Sequence, residues 1–120
     1  MNALVVDDDR LLTDLVVDIL EEHGHHAVGA YDGNEALERC AANHFDVAIV
    51  DLLMPNRDGI ELIQDLRARS PGTAIIAMTG MWEYGDQYLR MARKLGADAG
   101  LHKPFSFTEL IETAERLAGG

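Results

Sequence analysis

Five short apolar runs, each long enough for one β-strand, recur along the chain. They occupy residues 3–6, 27–31, 47–50, 73–78 and 98–102. The third run, which ends at Asp51, is rich in β-branched residues and has no polar alternation. This pattern is typical of a parallel strand that is buried on both faces. We therefore expect Asp51 to lie at the carboxyl end of a buried strand.

Apolar residues recur at helical spacing after each of these runs. They are Leu12, Leu15, Val16 and Ile19; Ala36, Leu37, Cys40 and Ala41; Leu62, Ile63 and Leu66; Tyr88, Met91, Ala92 and Leu95; and Phe107, Leu110, Ile111, Ala114 and Leu117. Strands that alternate with helices predict an α/β fold with right-handed crossovers and helices on both faces of the sheet. Because a barrel of eight units would need about twice as many residues, we expect an open, doubly wound sheet of five parallel strands.

Polar side chains follow four of the predicted strands, at the point where each strand ends. Asp7 and Asp8 follow the first strand, Asp51 the third, Thr79 the fourth and Lys103 the fifth. The carboxyl ends of parallel strands meet at one edge of a sheet, where open α/β folds bind their ligands. These side chains should therefore converge on one site.

The convergence of three carboxylates has a chemical consequence, because their charges repel one another unless a hard cation lies among them. Oxygen ligands alone, with room for water, favour Mg²⁺ over zinc. Lys103 would add positive charge and Thr79 a hydroxyl donor, which suits a phosphoryl group arriving at Asp51. Since an aspartate carboxylate can form an acyl phosphate, Asp51 is the candidate nucleophile.

A purely structural interpretation of the same residues is also available. Residues 7–9 could cap the first helix, Lys103 could pair with one of these aspartates, and Asp51 could cap its own loop. Any one feature alone would favour this interpretation. The presence of polar residues at all four strand ends favours a functional site.

Metal-binding chemistry elsewhere in the chain has less support. His23, His25 and His26 cluster at one turn, but no acid or cysteine completes a ligand set, which favours a solvated loop over a metal site. Cys40 is the one cysteine, so a disulfide framework is excluded and a small hydrophobic role in a helix is expected.

Charge and composition exclude several classes of protein. Ten basic against 21 acidic residues give a net charge of −11, which opposes direct binding to nucleic acid or to anionic lipid. No apolar run is long enough to span a bilayer, and no secretory signal is visible at the amino terminus. The 120 residues are expected to form one cytoplasmic domain.

Four motifs make the chain resemble the receiver domain of two-component response regulators. They are Val-Val-Asp-Asp at residues 5–8, Asp-Leu-Leu-Met-Pro-Asn-Arg-Asp-Gly at 51–59, Thr79-Gly80, and Lys-Pro-Phe at 103–105. The resemblance runs over essentially all of residues 1–120. It implies a flavodoxin-like sheet with the strand order 2-1-3-4-5.

The resemblance also implies a role for each residue of the site. Asp51 would accept a phosphoryl group from a sensor histidine kinase or a histidine phosphotransfer protein. Asp8, Asp51 and the Leu53 carbonyl would bind Mg²⁺, with Asp7 acting through water. Thr79 and Lys103 would hold the phosphoryl oxygens and report the event to a downstream protein target, and the Lys103–Pro104 peptide would be cis. The protein would be a monomer or a weak dimer.

Two departures from the family pattern bear on switching. Gly100 occupies the position where the family commonly has an aromatic switch residue, so coupling to Thr79 through such a side chain is excluded. The connection after Thr79 is longer than in the chemotaxis member of the family and carries Trp82 and Tyr84, either as a partner surface or packed on the next helix.

Leu53 and Met81, which flank the phosphoryl position, are both apolar and predict a long-lived phosphorylated form.

Four interpretations of the function remain open. The chain is either a stand-alone phosphoacceptor switch or the receiver of a longer DNA-binding or enzymatic regulator. A third interpretation is a phosphatase with an aspartyl nucleophile, but such an enzyme would usually have an acid at position 53, where this chain has Leu53. A fourth is an inactive adaptor, which the complete set of site residues argues against. We expect a signalling phosphoacceptor rather than an enzyme.

Overall fold

The computed structural model describes residues 1–54, 59–80 and 84–119 as alternating strands and helices. In chain order the elements are β1 (Asn2–Val6), α1 (Arg10–Glu22), β2 (His26–Ala30), α2 (Gly33–Ala42), β3 (Val47–Asp51), α3 (Gly59–Arg69), β4 (Ala74–Thr79), α4 (Gly85–Leu95), β5 (Ala99–His102) and α5 (Phe107–Gly119). Each expected strand and helix is present, with ends that differ from the expectation by one or two residues.

The five strands form one parallel sheet in the order β2-β1-β3-β4-β5, which confirms the predicted topology. The order reverses beside β1, because β2 lies on one side of it and β3 on the other. Register brings the carboxyl ends level: Val6 lies opposite Val50, and Thr79 lies opposite His102. The residues that follow these strand ends are therefore neighbours in space.

Each face of the sheet is covered by a separate hydrophobic layer, as a doubly wound fold requires. One layer joins α2, α3 and α4 to the sheet, and its buried helical residues include Ala36, Leu62, Ile63, Leu66, Leu89 and Ala92. The other joins α1 and α5 to the sheet through Val16, Leu20, Leu110, Ile111 and Ala114. Burying each large side chain contributes about 1.5 to 3 kcal/mol. The two layers hold the sheet that carries the strand ends.

The buried face of α4 differs from the one that helical spacing predicts. Gly85, Leu89 and Ala92 are buried, whereas Met91 is 48% exposed. Of the expected apolar positions, Met91 alone is exposed: Ala92 is buried, and Tyr88 and Leu95 are partly buried. The buried Leu89 was not expected. The cause lies in β5, where Gly100 leaves room for Leu89 to approach the strand.

Arg67 joins several elements at the amino end of the sheet, opposite the Asp51 edge. Its guanidinium donates hydrogen bonds to the carbonyls of Gly96, Pro71 and Thr73. It also forms an ion pair of 2.9 Å with Asp98. One side chain from α3 therefore ties down the carboxyl end of α4 and the segments that lead into β4 and β5.

The histidine turn and the cysteine play structural parts in the described chain. His25 contacts Glu115 of α5 at 2.9 Å, and none of the three clustered histidines belongs to a group of three metal-ligating side chains within the described ranges. Cys40 is a half-buried free thiol, and burial raises its pKa. None of the described helices is both long enough and apolar enough to cross a membrane.

Candidate functional site

Asp51 is the last residue of β3, and its side chain is almost completely buried, with 7% exposed. The backbone of Gly59, at the start of α3, lies directly on the Asp51–Leu52 peptide. A β-carbon at position 59 would overlap the Asp51 carbonyl. The N–H of Gly59 also donates a 3.1 Å hydrogen bond to the Leu52 carbonyl. The requirement for glycine at position 59 therefore follows from the packing of α3 against the strand end that presents Asp51.

Asp7 reaches the same point from β1 and is held through both carboxylate oxygens. Oδ1 accepts a 3.0 Å hydrogen bond from the Asp9 N–H, and Oδ2 accepts one of 2.6 Å from Lys103 Nζ. The buried hydroxyl of Thr13 donates to the Asp7 carbonyl at 2.8 Å. Asp9 alone caps α1, since its side chain accepts from the Leu12 N–H. Asp7 therefore faces the site and does not cap the helix.

Lys103 follows the edge strand β5, and its side chain reaches the carboxylates of β1 and β3. Its Nζ lies 2.6 Å from Asp7 and 3.6 Å from Asp51. Its backbone N–H donates to the Thr79 carbonyl at 2.8 Å, and the peptide that joins it to Pro104 is cis, as expected. The purely structural interpretation had Lys103 pairing with one aspartate of the first loop. That pairing is present, with Asp7, and the same ammonium also lies near Asp51, so it bridges carboxylates of two different strands.

Burial and the neighbouring charges change the pKa values of Asp51 and Lys103. Burial, together with the negative charge of Asp7, raises the pKa of Asp51 to about 7. Lys103 and a hydrogen bond from the Leu53 backbone act in the opposite direction. For Lys103, burial lowers the pKa, but its hydrogen bond with Asp7 and the two negative charges outweigh burial and raise the pKa overall. A single ammonium therefore leaves the carboxylates short of positive charge.

The donor set fits a hard divalent cation. Oxygens of Asp7, Asp8 and Asp51 all lie within 4.8 Å of one another, and Asp8 is exposed to solvent while the other two are buried. Mg²⁺ is bound by carboxylates and water and usually keeps several waters, which requires one open side. Exposed Asp8 provides such a side. The Leu53 side chain is 37% exposed at the same rim.

Thr79 lies at the end of β4 and is buried. The start of α4 packs closely on it: a β-carbon on Gly85 would stand 3.3 Å from Thr79 Cγ2 and 3.1 Å from His102 Cε1. His102 Nε2 in turn lies 3.0 Å from Oδ1 of Asp86, the second residue of α4. Thr79 is thus in direct packing contact with the amino end of α4.

Gly100, the other residue that the sequence assigns to switching, lies in β5 opposite Ala77. The space that a side chain at position 100 would fill is taken by Leu89 of α4. The structure thus places a leucine from the neighbouring helix where the family resemblance implies an aromatic side chain from the strand.

The structure brings together Asp7, Asp8, Asp51 and Lys103, and it places Thr79 beside them. Sequence reasoning missed Thr13, Gly85 and Leu89, which position these groups. A signal existed for Thr13 alone, as a polar residue on the otherwise apolar face of α1. Met81 and Trp82 lie outside the described residues, and so does most of the turn expected after Met54. Tyr84 is 50% exposed.

Comparisons with known proteins agree on one family. The family model described as "Response regulator receiver domain" matches residues 3–115. The two-component response regulator PhoP of Pseudomonas aeruginosa is 36% identical over 110 residues, which cover 92% of this chain and 48% of PhoP. The chain therefore spans about half the length of the curated relatives it matches.

Two solved structures extend the comparison to the fold. The receiver domain of the Francisella response regulator 1452 is 34% identical, with a TM-score of 0.88, over 98% of this chain and 95% of that one. The response regulator TrrA from Thermotoga maritima, solved in complex with Mg²⁺ and BeF, is 30% identical, with a TM-score of 0.84, over 97% of each chain. The match of the family model over nearly all of the chain establishes that it belongs to the response regulator receiver domain family.

Proposed function

We propose that this receiver accepts a phosphoryl group on Asp51 and signals by a change of conformation. The observation that carries the proposal is the position of Lys103 Nζ, which lies 2.6 Å from Asp7 and 3.6 Å from Asp51. A cation held between two buried carboxylates is well placed to neutralise the oxygens of an incoming phosphoryl group. The Thr79 hydroxyl would donate to the same oxygens.

The transfer itself needs no other nucleophile. A carboxylate oxygen of Asp51 forms the new bond to phosphorus while the bond from phosphorus to the donor breaks, and the leaving group departs with that electron pair. With a phosphohistidine donor, the imidazole leaves and takes up a proton from solvent. Because Asp51 must be ionised to attack, its raised pKa makes the neighbouring cations part of the mechanism.

Mg²⁺ is the proposed cofactor, held by Asp8, Asp51 and the Leu53 carbonyl, with Asp7 acting through water. When bound it would supply the positive charge that lowers the pKa of Asp51 and offsets repulsion between this carboxylate and an anionic donor. Two observations support it: the three carboxylates lie within 4.8 Å of one another, and TrrA binds Mg²⁺ with BeF. Lys103 neutralises only one of the negative charges.

The proposed donor is a sensor histidine kinase or a histidine phosphotransfer protein. A protein donor must cover the rim of the site, and that rim is apolar. Leu11 is 79% exposed on α1 and Leu15 is 43% exposed. Beside them runs a groove of about 410 Å³ lined by Leu12, Gly80, Lys103, Pro104, Phe105 and Phe107. Exposed apolar side chains beside an apolar groove are typical of a protein interaction site.

The output is proposed to be contact with a downstream protein. The net charge of −11 disfavours direct contact with nucleic acid by these residues. Since the curated relatives are about twice as long as this chain, a receiver that acts on an attached effector module is the second candidate. The two differ in whether the phosphorylated chain must find its target in trans.

The test of the function is the intact mass of the protein after incubation with acetyl phosphate and Mg²⁺. We expect one added phosphoryl group on the parent, and none on Asp51→Asn or in excess chelator. Asp18→Asn, which removes an exposed carboxylate from α1, is the matched control and should label like the parent. Equal labelling of the Asp51 variant would overturn the assignment.

The apolar rim is tested with a purified phosphotransfer protein as donor. Leu11→Ser should slow transfer from the protein donor and leave labelling by acetyl phosphate unchanged, because the small donor does not touch the rim. Met91→Ser, at an exposed apolar position on α4, serves as the control. If Leu11→Ser left protein-donor transfer at the parent's rate, a docking role for this rim would be wrong.

A further inference from the structure

Arg10, the first residue of α1, carries an unusual arrangement of charge. Its guanidinium carbon lies 4.3 Å from the centre of the Tyr31 ring, and the side chain is exposed. Tyr31 in turn donates a 2.6 Å hydrogen bond to Oδ1 of Asp14. Arg10 and Asp14 are four residues apart on one helix, a spacing at which opposite charges ordinarily pair. Here Tyr31 contacts both Arg10 and Asp14, and these two side chains do not pair with each other. Arg10 forms no ion pair with any residue of the described chain.

Helix stability does not account for this arginine. A cation at the amino end of a helix opposes the helix dipole, and the nearest acid at this end, the N-cap Asp9, is outside the first turn and bonds to the Leu12 N–H. The contact with Tyr31 holds the side chain in place by a cation–π interaction and leaves its N–H groups facing solvent. An ordered, unpaired guanidinium at a helix end that disfavours it indicates a role outside the fold.

The position of Arg10 relative to the site suggests that role. Arg10 follows Asp8 by two residues, and Tyr31 follows Ala30, whose carbonyl accepts a 3.2 Å hydrogen bond from the Asp7 N–H. The guanidinium, which lies over Tyr31, is therefore placed at the carboxyl edge of the sheet, on the side of β2. Any phosphodonor that enters this edge carries negative charge toward a protein of net charge −11.

We propose that Arg10, held by Tyr31, is a positioning residue that draws the anionic phosphodonor to Asp51 and favours donors with more negative charge. The inference rests on the proposed phosphorylation of Asp51 and adds a determinant of donor preference to it. Arg10 takes no part in bond making: an Asp51 oxygen bonds to phosphorus, and acetate leaves acetyl phosphate with the electron pair. Its guanidinium acts on the approach of the donor, where opposite charge raises the rate of encounter.

A competing explanation is that Arg10 only screens the aspartates of the β1–α1 loop. Removing it would then tighten Mg²⁺ binding, since a repelling cation is lost, and would leave phosphorylation unchanged once Mg²⁺ is saturating. The proposal makes a different prediction, because at saturating Mg²⁺ the donor still approaches a protein of net charge −11. Measurements at saturating Mg²⁺ therefore separate the two.

The experiment compares rates of Asp51 labelling by acetyl phosphate, a dianion at neutral pH, and by phosphoramidate, which carries less negative charge. Arg10→Gln should lower the second-order rate constant for acetyl phosphate by roughly threefold to tenfold, with a smaller loss for phosphoramidate. Arg10→Lys should keep much of the rate. Tyr31→Leu should lose part of it, because the side chain is no longer held, whereas Tyr31→Phe keeps the ring and should resemble the parent.

The matched control is Arg116→Gln, which removes the same charge from the distal end of α5 and should not alter the rate. Raising the salt to about 1 M should remove the difference between the parent and Arg10→Gln, because charges are then screened within about 3 Å. If Arg10→Gln and Arg116→Gln react alike with both donors, the inference is wrong while the proposed function stands. If the parent itself is not labelled on Asp51, the proposed function fails first.

Discussion

Leu89 of α4 lies directly against Gly100 of β5, so that a β-carbon on residue 100 would stand 2.9 Å from Leu89 Cδ2 and 3.3 Å from Cδ1. The two residues share one volume beside the sheet. Leu89 is 9% exposed and belongs to the layer that joins α4 to the strands. The contact replaces a strand side chain with a helix side chain at a position assigned to switching.

Gly100→Ala should therefore destabilise the protein by about 1 kcal/mol, since Leu89 must move to admit the methyl group. Leu89→Ala should cost about 2 to 4 kcal/mol because it leaves a cavity. The double variant should be more stable than the sum of the two losses predicts, by about 1 kcal/mol. Urea denaturation of all four proteins measures this coupling. Gly29→Ala, which meets Thr13 on the other face of the sheet, should be additive with Leu89→Ala.

Asp51→Asn should stabilise the metal-free protein, because it removes a buried carboxylate that Asp7 repels. We expect a gain of about 1 kcal/mol, or about 4 °C in Tm for a domain of this size. Mg²⁺ should raise the Tm of the parent and have much less effect on the variant. Asp18→Asn controls for the loss of one negative charge. A lower Tm for Asp51→Asn than for the parent in chelator would contradict the prediction.

The pH dependence of this gain follows from the raised pKa of Asp51. In the folded protein Asp51 keeps its proton up to about pH 7, whereas in the unfolded chain it loses the proton near pH 4. Asp51 therefore lowers stability progressively as the pH rises through that interval. The difference between Asp51→Asn and the parent should be absent at about pH 4 and largest above about pH 7 in chelator. A constant difference across this range would mean that charge is not its cause.

Replacing Arg67, even by lysine, should lower the stability of the protein. It bonds to the Gly96, Pro71 and Thr73 carbonyls and to the Asp98 carboxylate, and one ammonium cannot reproduce that planar set of donors. Arg67→Lys and Arg67→Ala should each lower the free energy of unfolding by about 2 kcal/mol. Arg69, which is exposed two residues later on α3, is the control, and its substitutions should change stability by less than about 0.5 kcal/mol.

Leu53 should prolong the phosphorylated state. Its side chain is apolar and 37% exposed at the rim, so it offers no hydrogen bond to a water that attacks phosphorus. Leu53→Asn could orient that water, and one such bond of about 1 kcal/mol corresponds to roughly fivefold faster loss of phosphate. Decay after removal of the donor measures the effect, and Leu53→Ala separates orientation of the water from loss of bulk. Equal decay of Leu53→Asn and Leu53→Ala would argue against orientation.

The sequence predicted the features that depend on local pattern and on sheet geometry. The apolar run that ends in Asp51 predicts a buried strand without further information. Parallel strands then bring Asp7 and Lys103 to the same edge of the sheet, independently of the conformation of the loops. The positions of Leu89 and Arg67 were not predictable in this way. Leu89 is buried because of a missing side chain on β5, and Arg67 bonds to groups up to 31 residues away. Such contacts depend on tertiary packing, which a single sequence does not display.

The phase of α4 illustrates the same limit. Apolar spacing established that residues near Tyr88 form a helix, but neighbouring choices of the buried stripe differ by only one residue. Burial of Leu89 in place of Met91 was decided by the shape of the strand that the helix covers.

The two ends of α4 are held in different ways, which allows the helix to tilt about its carboxyl end. Its carboxyl end is fixed by Arg67 through the Gly96 carbonyl, whereas its amino end rests on Thr79 at Gly85. The eleven residues of α4 span about 16 Å. If the helix tilted by about 10° around the end that Arg67 holds, Gly85 would move by about 3 Å. A displacement of Thr79 would thus be passed to α4 as a tilt that is greatest at Gly85, next to the site, and that decreases toward the end held by Arg67.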